Sequence, residues 1–370
     1  MRIGALVNPV AGLGGTVALK GTDGPGTVAE ALAMGAVPQA GIRFTQAMAV
    51  LAAACPGTTL RIAPGALGAD HVADLRLTLD AVTPFRLAGT ARDTRAAVQA
   101  MGPLDLLVVA GGDGTLRDAL AELAPGTAIL GIPCGVKMHS GVFARSPATA
   151  GRLLADLVSG RVPLIPTEAE IMDIDEDALR LGIIAPRLHG IALTPRSQGT
   201  QPAKGRPGRD DQADLRAAGA EVARGLGPDT LAVIGPGRSA AAVMHALGLE
   251  ATLLGVDVLR GGCVIGRDLT GPALDALVAG HAGAVVLVMG VTGGQGFLFG
   301  RGNQQIGPAV ISRAARAGLI VLAGEDKLAA LVPPVLWIDL PDEKLALALE
   351  GYLRVRTGAG RSTLMRLCVG

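Results

Sequence analysis

Short, uninterrupted apolar runs recur along the chain, separated by segments of helical length, and this alternation limits the fold more than any other feature. RIGALV, TTLRIA, FRLA, DLLVVA and AILGI fall within the first 135 residues, with helices expected near residues 42–54, from about Ala66, near Ala91–Met101 and over residues 115–123. Apolar strands joined by helical crossovers make a parallel sheet covered on both faces. Composition points the same way. The chain is 49% hydrophobic yet holds only 5 Phe, 1 Trp and 1 Tyr, so Ala, Val, Leu and Ile carry the apolar content beside 54 Gly. An α/β protein long enough for two domains is expected.

Ser146-Pro147 opens a further helix with a favourable cap and a proline at its first position. The pattern changes after Pro166, where EAEIMDID and RLHGIALT suggest strands of a mixed or antiparallel sheet, so a domain boundary is expected near residue 165. Alternation returns from Thr230, with LAVIG, TLLGVDVL, CVIG, AVVLVM, LIVLA and VLWIDL. The second domain is expected over residues 166–340, with the tail, residues 341–370, forming one more helix and strand that pack back on the first. Residues 195–209 hold no apolar cluster and suit either a solvated linker or a lid bearing Arg196, Lys204, Arg206 and Arg209.

Charge excludes several partners. Lys plus Arg number 33 against 32 Asp plus Glu, with no basic block, so neither nucleic acid nor an anionic membrane is expected. The longest uncharged run, residues 282–300, contains six glycines and reads as a buried strand and a loop rather than a span. The first apolar run is too short for a secretory core, so a cytoplasmic location is expected. Cys55, Cys134, Cys263 and Cys368 lie far apart and suit reduced thiols. Small-molecule nucleotide substrates and assembly as a homo-oligomer are the expected partners.

The strongest local signal is DLLVVAGGDGTLRDAL. A buried strand ends at Ala110, glycines turn the chain, and a helix follows, at the carboxyl edge where parallel sheets bind ligands. Gly111, Gly112 and Gly114 permit close approach of a phosphate, and the helix start offers unpaired N–H groups beside Thr115. Asp113 would face that phosphate, which suits magnesium ligation or general-base work on a hydroxyl; Asp113 or Thr115 could alternatively cap the helix. NPVAGLGG supplies Asn8, Gly12, Gly14 and Gly15, either as a cover for the same phosphates or as an ordinary turn, and Lys20 and Asp23 follow, Lys20 suiting a phosphate contact or a solvated surface equally. Lys137, His139 and Ser140 crowd the loop of GIPCGVKMHSGVF. His139 is a candidate base, but no acidic residue lies nearby in sequence to orient it, so a hydrogen-bonded loop histidine is the alternative. In GGQGFLFGRGNQQ, Gly293, Gly294 and Gly296 allow close approach, Arg301 can grip a phosphate, and Gln295, Asn303, Gln304 and Gln305 can read a sugar or base edge, with Phe297 and Phe299 either anchoring the loop or stacking on a base. Gly235, Gly237, Arg238 and Ser239 form a second phosphate-cradle shape or an ordinary turn.

GGDGT after an apolar strand, together with NPVAGLGG, resembles the superfamily of NAD kinases, diacylglycerol and sphingoid-base kinases and 6-phosphofructokinases. GTDG, GIPCGVKMHSGVFA, EAEIMDIDEDALR, LLGVDV and GGQGFLFGRGNQQ are similar to its ATP-NAD kinase-like branch, which includes acetoin-catabolism X proteins. The resemblance implies a two-domain fold, an N-terminal parallel α/β sheet plus a mixed α/β domain, with the active site in the interdomain cleft. It implies ATP and magnesium as cofactors, and a carboxylate, here Asp113, acting on the acceptor hydroxyl. Two departures matter. The adjacent Asn-Glu that holds a ribose in NAD kinases is absent, with Glu170 and Asp173 in the comparable stretch, and VTGGQGFLFG replaces their Thr-Pro-Thr-Gly-Ser-Thr-Ala-Tyr loop. NAD is therefore the leading acceptor but not the sole one: a sugar, nucleoside or lipid-like molecule is the alternative, as is a non-catalytic nucleotide sensor.

Overall fold

A computed structural model describes residues 1–19, 26–83, 89–135, 138–174, 186–196, 211–292 and 295–370. The chain divides into two compact units, one of residues 1–13, 21–32 and 37–204 and the other of residues 14–20, 33–36 and 205–370.

The first unit is built on β1 (Ile3–Val7), β2 (Thr59–Ile62), β3 (Thr78–Ala81), β4 (Leu106–Gly111), β5 (Ala128–Pro133), β6 (Pro166–Ile174) and β7 (Pro186–Pro195), in the order β3-β2-β1-β4-β5-β7-β6. The five strands from β3 to β5 are mutually parallel, and β6 and β7 form an antiparallel pair at one edge. Its helices are α1 (Thr27–Ala33), α2 (Ala40–Ala54), α3 (Ala91–Met101), α4 (Asp113–Leu120) and α5 (Pro147–Val158). Alternate strand residues sort to opposite faces. Ile3, Ala5, Val7, Leu106, Val108 and Ala110 pack with α2 and α5, whereas Leu6, Leu107 and Val109 pack with α3 and α4. Both faces are thus dry, which is why these strands carry no polar alternation. Caps fix the helix starts: Thr90 and Asp93 form a capping box on α3, and Ser146 Oγ accepts from the Thr149 N–H at 3.1 Å on α5.

The second unit holds β8 (Leu231–Ile234), β9 (Asp257–Arg260), β10 (Cys263–Gly266), β11 (Val285–Gly290), β12 (Phe297–Phe299), β13 (Leu319–Leu322), β14 (Val335–Ile338), β15 (Gly351–Gly358) and β16 (Arg361–Val369). Their order is β10-β9-β8-β11-β13-β15-β16-β14-β12, with antiparallel pairs at β8–β9, β9–β10 and β15–β16 and parallel pairs elsewhere. The helices are α6 (Asp211–Gly225), α7 (Arg238–Ala246), α8 (Gly271–Ala279), α9 (Pro308–Ala314), α10 (Glu325–Ala329) and α11 (Glu343–Leu349). Two separate apolar clusters line the two faces of this sheet. Both units are α/β, one sheet mostly parallel and the other mixed.

Three expectations change. The β6–β7 pair joins the first sheet through Ala128↔Leu193, so that unit continues past residue 165, because an antiparallel pair can extend the open edge of a parallel sheet. The tail belongs to the second unit. It forms α11 and the β15–β16 hairpin, and the hairpin bridges β13 to β14 inside the second sheet. The helix expected from Ala66 is instead two short 3-10 turns, Gly65–Leu67 and Ala69–His71, because Pro64, Gly65 and Gly68 interrupt it. FRLA lies outside the described residues, and among those described β3 stands at the end of the strand order. Among the described residues, no helix is long and apolar enough to cross a membrane.

Candidate functional site

In the first sheet the chain runs from β1 outward to β2 and β3, then returns to β4 and proceeds to β5 in the opposite direction. The loops after β1 and β4 therefore diverge, leaving a crevice at their carboxyl ends, the place where open parallel sheets bind ligands. NPVAGLGG follows β1 and GGDGT follows β4. Asn8 ties them together: its N–H donates to Ala110 O at 2.9 Å and its Nδ2 donates to Thr115 Oγ1 at 3.0 Å, while its Oδ1 accepts from the Val10 N–H at 3.2 Å.

A third loop, after β5, closes against the first. Gly12 has φ +73°, and a Cβ there would stand 1.8 Å from Cys134 O, so only glycine fits this crossing. Gly111 is similarly confined, since a Cβ would lie 2.6 Å from the Thr115 side chain. Gly112 caps α4, and Asp113 is the first residue of that helix rather than part of the preceding turn. Its negative charge lies beside the positive end of the helix dipole. A Cβ at Gly114 would make an ordinary contact with the Arg117 side chain at 3.9 Å.

Asp113 is 5% exposed and is held by the loop after β5. Oδ2 accepts from the backbone N–H of His139 at 2.7 Å and stands 3.3 Å from His139 Nδ1; Oδ1 accepts from the Ser140 N–H at 3.0 Å and from Ser140 Oγ at 2.6 Å. Ser140 Oγ in turn accepts from the Met172 N–H at 3.0 Å, and the Gly141 N–H donates to Glu170 O at 2.9 Å, which pins the loop to β6. His139 is 2% exposed, and its Nε2 has no hydrogen-bond partner among the described residues. Sequence reading found no carboxylate near His139 because the one that meets it lies 26 residues away. The signal was available in principle: consecutive parallel strands place their trailing loops side by side.

Asp173 pairs with Arg117 at 2.7 Å, and the Glu170 side chain is exposed on β6. Asp118, buried on α4, pairs with Arg95 at 3.2 Å. Lys20, Asp23, Lys137, Gly293 and Gly294 lie outside the described residues. Gly14 precedes a short 3-10 turn, Gly15–Val17, that clusters with the second unit.

The residues of GGQGFLFGRGNQQ belong to the second unit, and Asn303 and Gln304 bond within their own loop. Arg301 is 6% exposed, pairs with Asp339 at 3.4 Å and stacks 4.4 Å over the Phe297 ring. Asn303 accepts from the Gly300 N–H at 2.8 Å and donates to Leu298 O at 2.8 Å, Gln304 donates to Gly300 O, and Gln295 is buried. The Gly296 carbonyl accepts from the N–H of Trp337 in β14. Phe297 and Phe299 are buried anchors. In VIGPGRS, Gly237 caps α7 with φ +102° and Ser239 is buried.

Each Asp113 oxygen is already taken by two donors of the chain, and among the described residues no group of three or more His, Cys, Asp or Glu could cage a metal ion. This donor set does not fit a resident magnesium ion, which asks for one or two free carboxylates.

No curated protein and no solved structure matches the chain. Two family models do: the ATP-NAD kinase N-terminal domain over residues 66–162, which takes in GGDGT and the loop after β5, and the ATP-NAD kinase C-terminal domain over residues 230–367. The matches fall one in each structural unit, together span more than half of the residues, and show that the chain belongs to the ATP-NAD kinase family.

Proposed function

We propose that this protein is an ATP-dependent small-molecule kinase that transfers a phosphoryl group to an acceptor hydroxyl, with NAD as the leading acceptor. The observation that carries the reading is the Asn8–Thr115 hydrogen bond, which joins the two glycine loops at the topological switch point of the first sheet. The family match supports ATP as donor. ATP phosphates would lie against Asn8–Gly12 and the start of α4, where glycines and helix N–H groups favour an anion. Catalysis would rest on positioning and charge neutralisation, as is general for phosphoryl transfer. Magnesium would arrive on the nucleotide as part of the substrate.

A different hydroxylated acceptor is the second reading, favoured by the missing Asn-Glu pair and by VTGGQGFLFG in place of the NAD kinase loop. The test is ATP-dependent phosphorylation across a panel of NAD, nucleosides, sugars and lipid-like alcohols. Phosphorylation of NAD with a clear kcat/KM advantage supports the first reading, and preference for another acceptor supports the second. With the right acceptor, Asp113→Asn is expected to lose turnover by about a hundredfold or more while still binding ATP. Turnover near that of the wild type would remove Asp113 from the site.

A further inference from the structure

We propose that a cleft between β13 and β15 binds the phosphate group of a small organic phosphate monoester. The inference stands apart from the kinase reading, because every residue lining the cleft belongs to the second unit, whereas GGDGT belongs to the first. The two strands pair at Val321↔Val355 and Leu322↔Arg356. Ahead of those positions they part and leave a cleft of about 560 Å³, a volume usual for small-molecule sites. Alternation along YLRVR decides what faces it: Leu353 and Val355 join the core, while Tyr352, Arg354 and Arg356 share the opposite face of β15 and line the cleft. Arg361 from the hairpin turn and Arg316 from the segment before β13 complete the basic lining, and Leu319 and Ile320 supply an apolar wall.

The four guanidinium groups are not equivalent. Arg356 pairs with Glu221 at 2.8 Å, and Arg361 pairs with Asp214 at 2.5 Å and with Glu325 at 3.7 Å. Glu221 is the one carboxylate in the lining; its other oxygen accepts from the Gly360 N–H at 2.6 Å, and this bond together with Arg356 holds its carboxyl below the usual range, so its charge is committed to them. Arg316 meets no carboxylate among the described residues. Its Nη1 donates to Leu349 O and Glu350 O, each at 3.0 Å, and its Nη2 donates to Tyr352 O. Gly351 makes this possible, since with φ +123° and no side chain it lets the guanidinium lie against the backbone, where a Cβ would stand 3.3 Å from Nη2. Those bonds leave the Nε–H and one Nη2–H of Arg316 free to donate. Arg354 has no hydrogen bond or ion pair among the described residues.

Two positive charges without a carboxylate partner thus share one concave site, in a chain whose formal net charge is only +1. A phosphate monoester matches them, bringing about 1.5–2 negative charges at neutral pH and three acceptor oxygens for the planar forks. A convex, solvated arginine needs no such partner, but Arg316 is already fixed by three carbonyls and loses little side-chain freedom when an anion arrives. The organic part of the ligand would rest on the Tyr352 ring and on Leu319 and Ile320.

Tyr352 is the only tyrosine of the chain, so the full-length protein made with 3-fluorotyrosine carries a single 19F resonance, and it reports on this cleft. The probes are AMP, glucose 6-phosphate and inorganic phosphate, compared with adenosine, citrate and sodium chloride at matched ionic strength. At least one of the two monoesters is expected to move the resonance saturably, and inorganic phosphate to compete with it. Arg354→Gln removes a charge that holds nothing else, and is expected to keep the melting temperature of the wild type while weakening the monoester about tenfold or more. Arg316→Lys keeps the charge but not the fork, and is expected to weaken it by a similar factor. The proposal is overturned by no saturable shift with either monoester, by a shift that sodium chloride reproduces, by equal binding of adenosine or citrate, or by an Arg354→Gln affinity within about threefold of wild type. A resonance that moves with protein concentration and ignores phosphate also overturns it, since a second copy of the chain would then cover the face. The acceptor panel tests the kinase reading and this resonance tests the cleft, so either can fail alone.

Discussion

Two residues show how position decides what a side chain does. Gly12 crosses the turn after β5 with φ +73°, and a methyl group there would meet Cys134 O at 1.8 Å. Gly12→Ala is therefore expected to destabilise the fold by at least about 1–2 kcal/mol from the left-handed backbone alone, and to weaken nucleotide binding by displacing the loop. Chemical denaturation and ATP titration of the same variant check it; unchanged stability would mean the loop can move aside freely. Arg301 is the opposite case. In the sequence it reads as a hand for an acceptor phosphate, yet the structure buries it between Asp339 and Phe297. Removing one partner of a buried ion pair leaves the other charge uncompensated, so Arg301→Ala is expected to lose about 3–5 kcal/mol of stability. A variant as stable as wild type but with a raised acceptor KM would return Arg301 to a binding role.

At the scale of elements, three loops trail from β1, β4 and β5, and their hydrogen bonds make them one unit of response. Asn8 bridges the first to α4, and Asp113 bridges α4 to the third. ATP is accordingly expected to slow amide exchange over residues 8–13, 111–116 and 138–141 together. Protection confined to the Gly237 turn would move the nucleotide site to the second unit. The strands and helices around these loops were legible in the sequence because they are apolar runs of the right length, with a clear cap at Ser146. The 3-10 turns at Gly65–Leu67 and Ala69–His71 were not, since alanine-rich composition suggests a helix until Pro64 and Gly68 are weighed. The meeting of Asp113 with His139 was also hidden. Its two members are remote in sequence, and only the adjacency of β4 and β5 brings their loops together.

For the whole molecule, ligand binding is linked to stability by mass action. If the chain binds ATP, its apparent stability is expected to rise by about 2.7 kcal/mol at a hundredfold excess over Kd, seen as a higher melting temperature. No shift at saturating ATP with magnesium would count against nucleotide binding. The sequence by itself determined that the chain is α/β, that it has two halves of strand and helix, and that GGDGT turns a buried strand into a helix, because buried strands, caps and glycine turns are written in neighbouring residues. Only the tertiary structure decided which sheet the last hairpin joins, which carboxylate serves His139 and which arginine is buried. Those outcomes depend on which strands lie side by side. That choice is made by burial of faces assembled from distant segments, and no local window of sequence contains it.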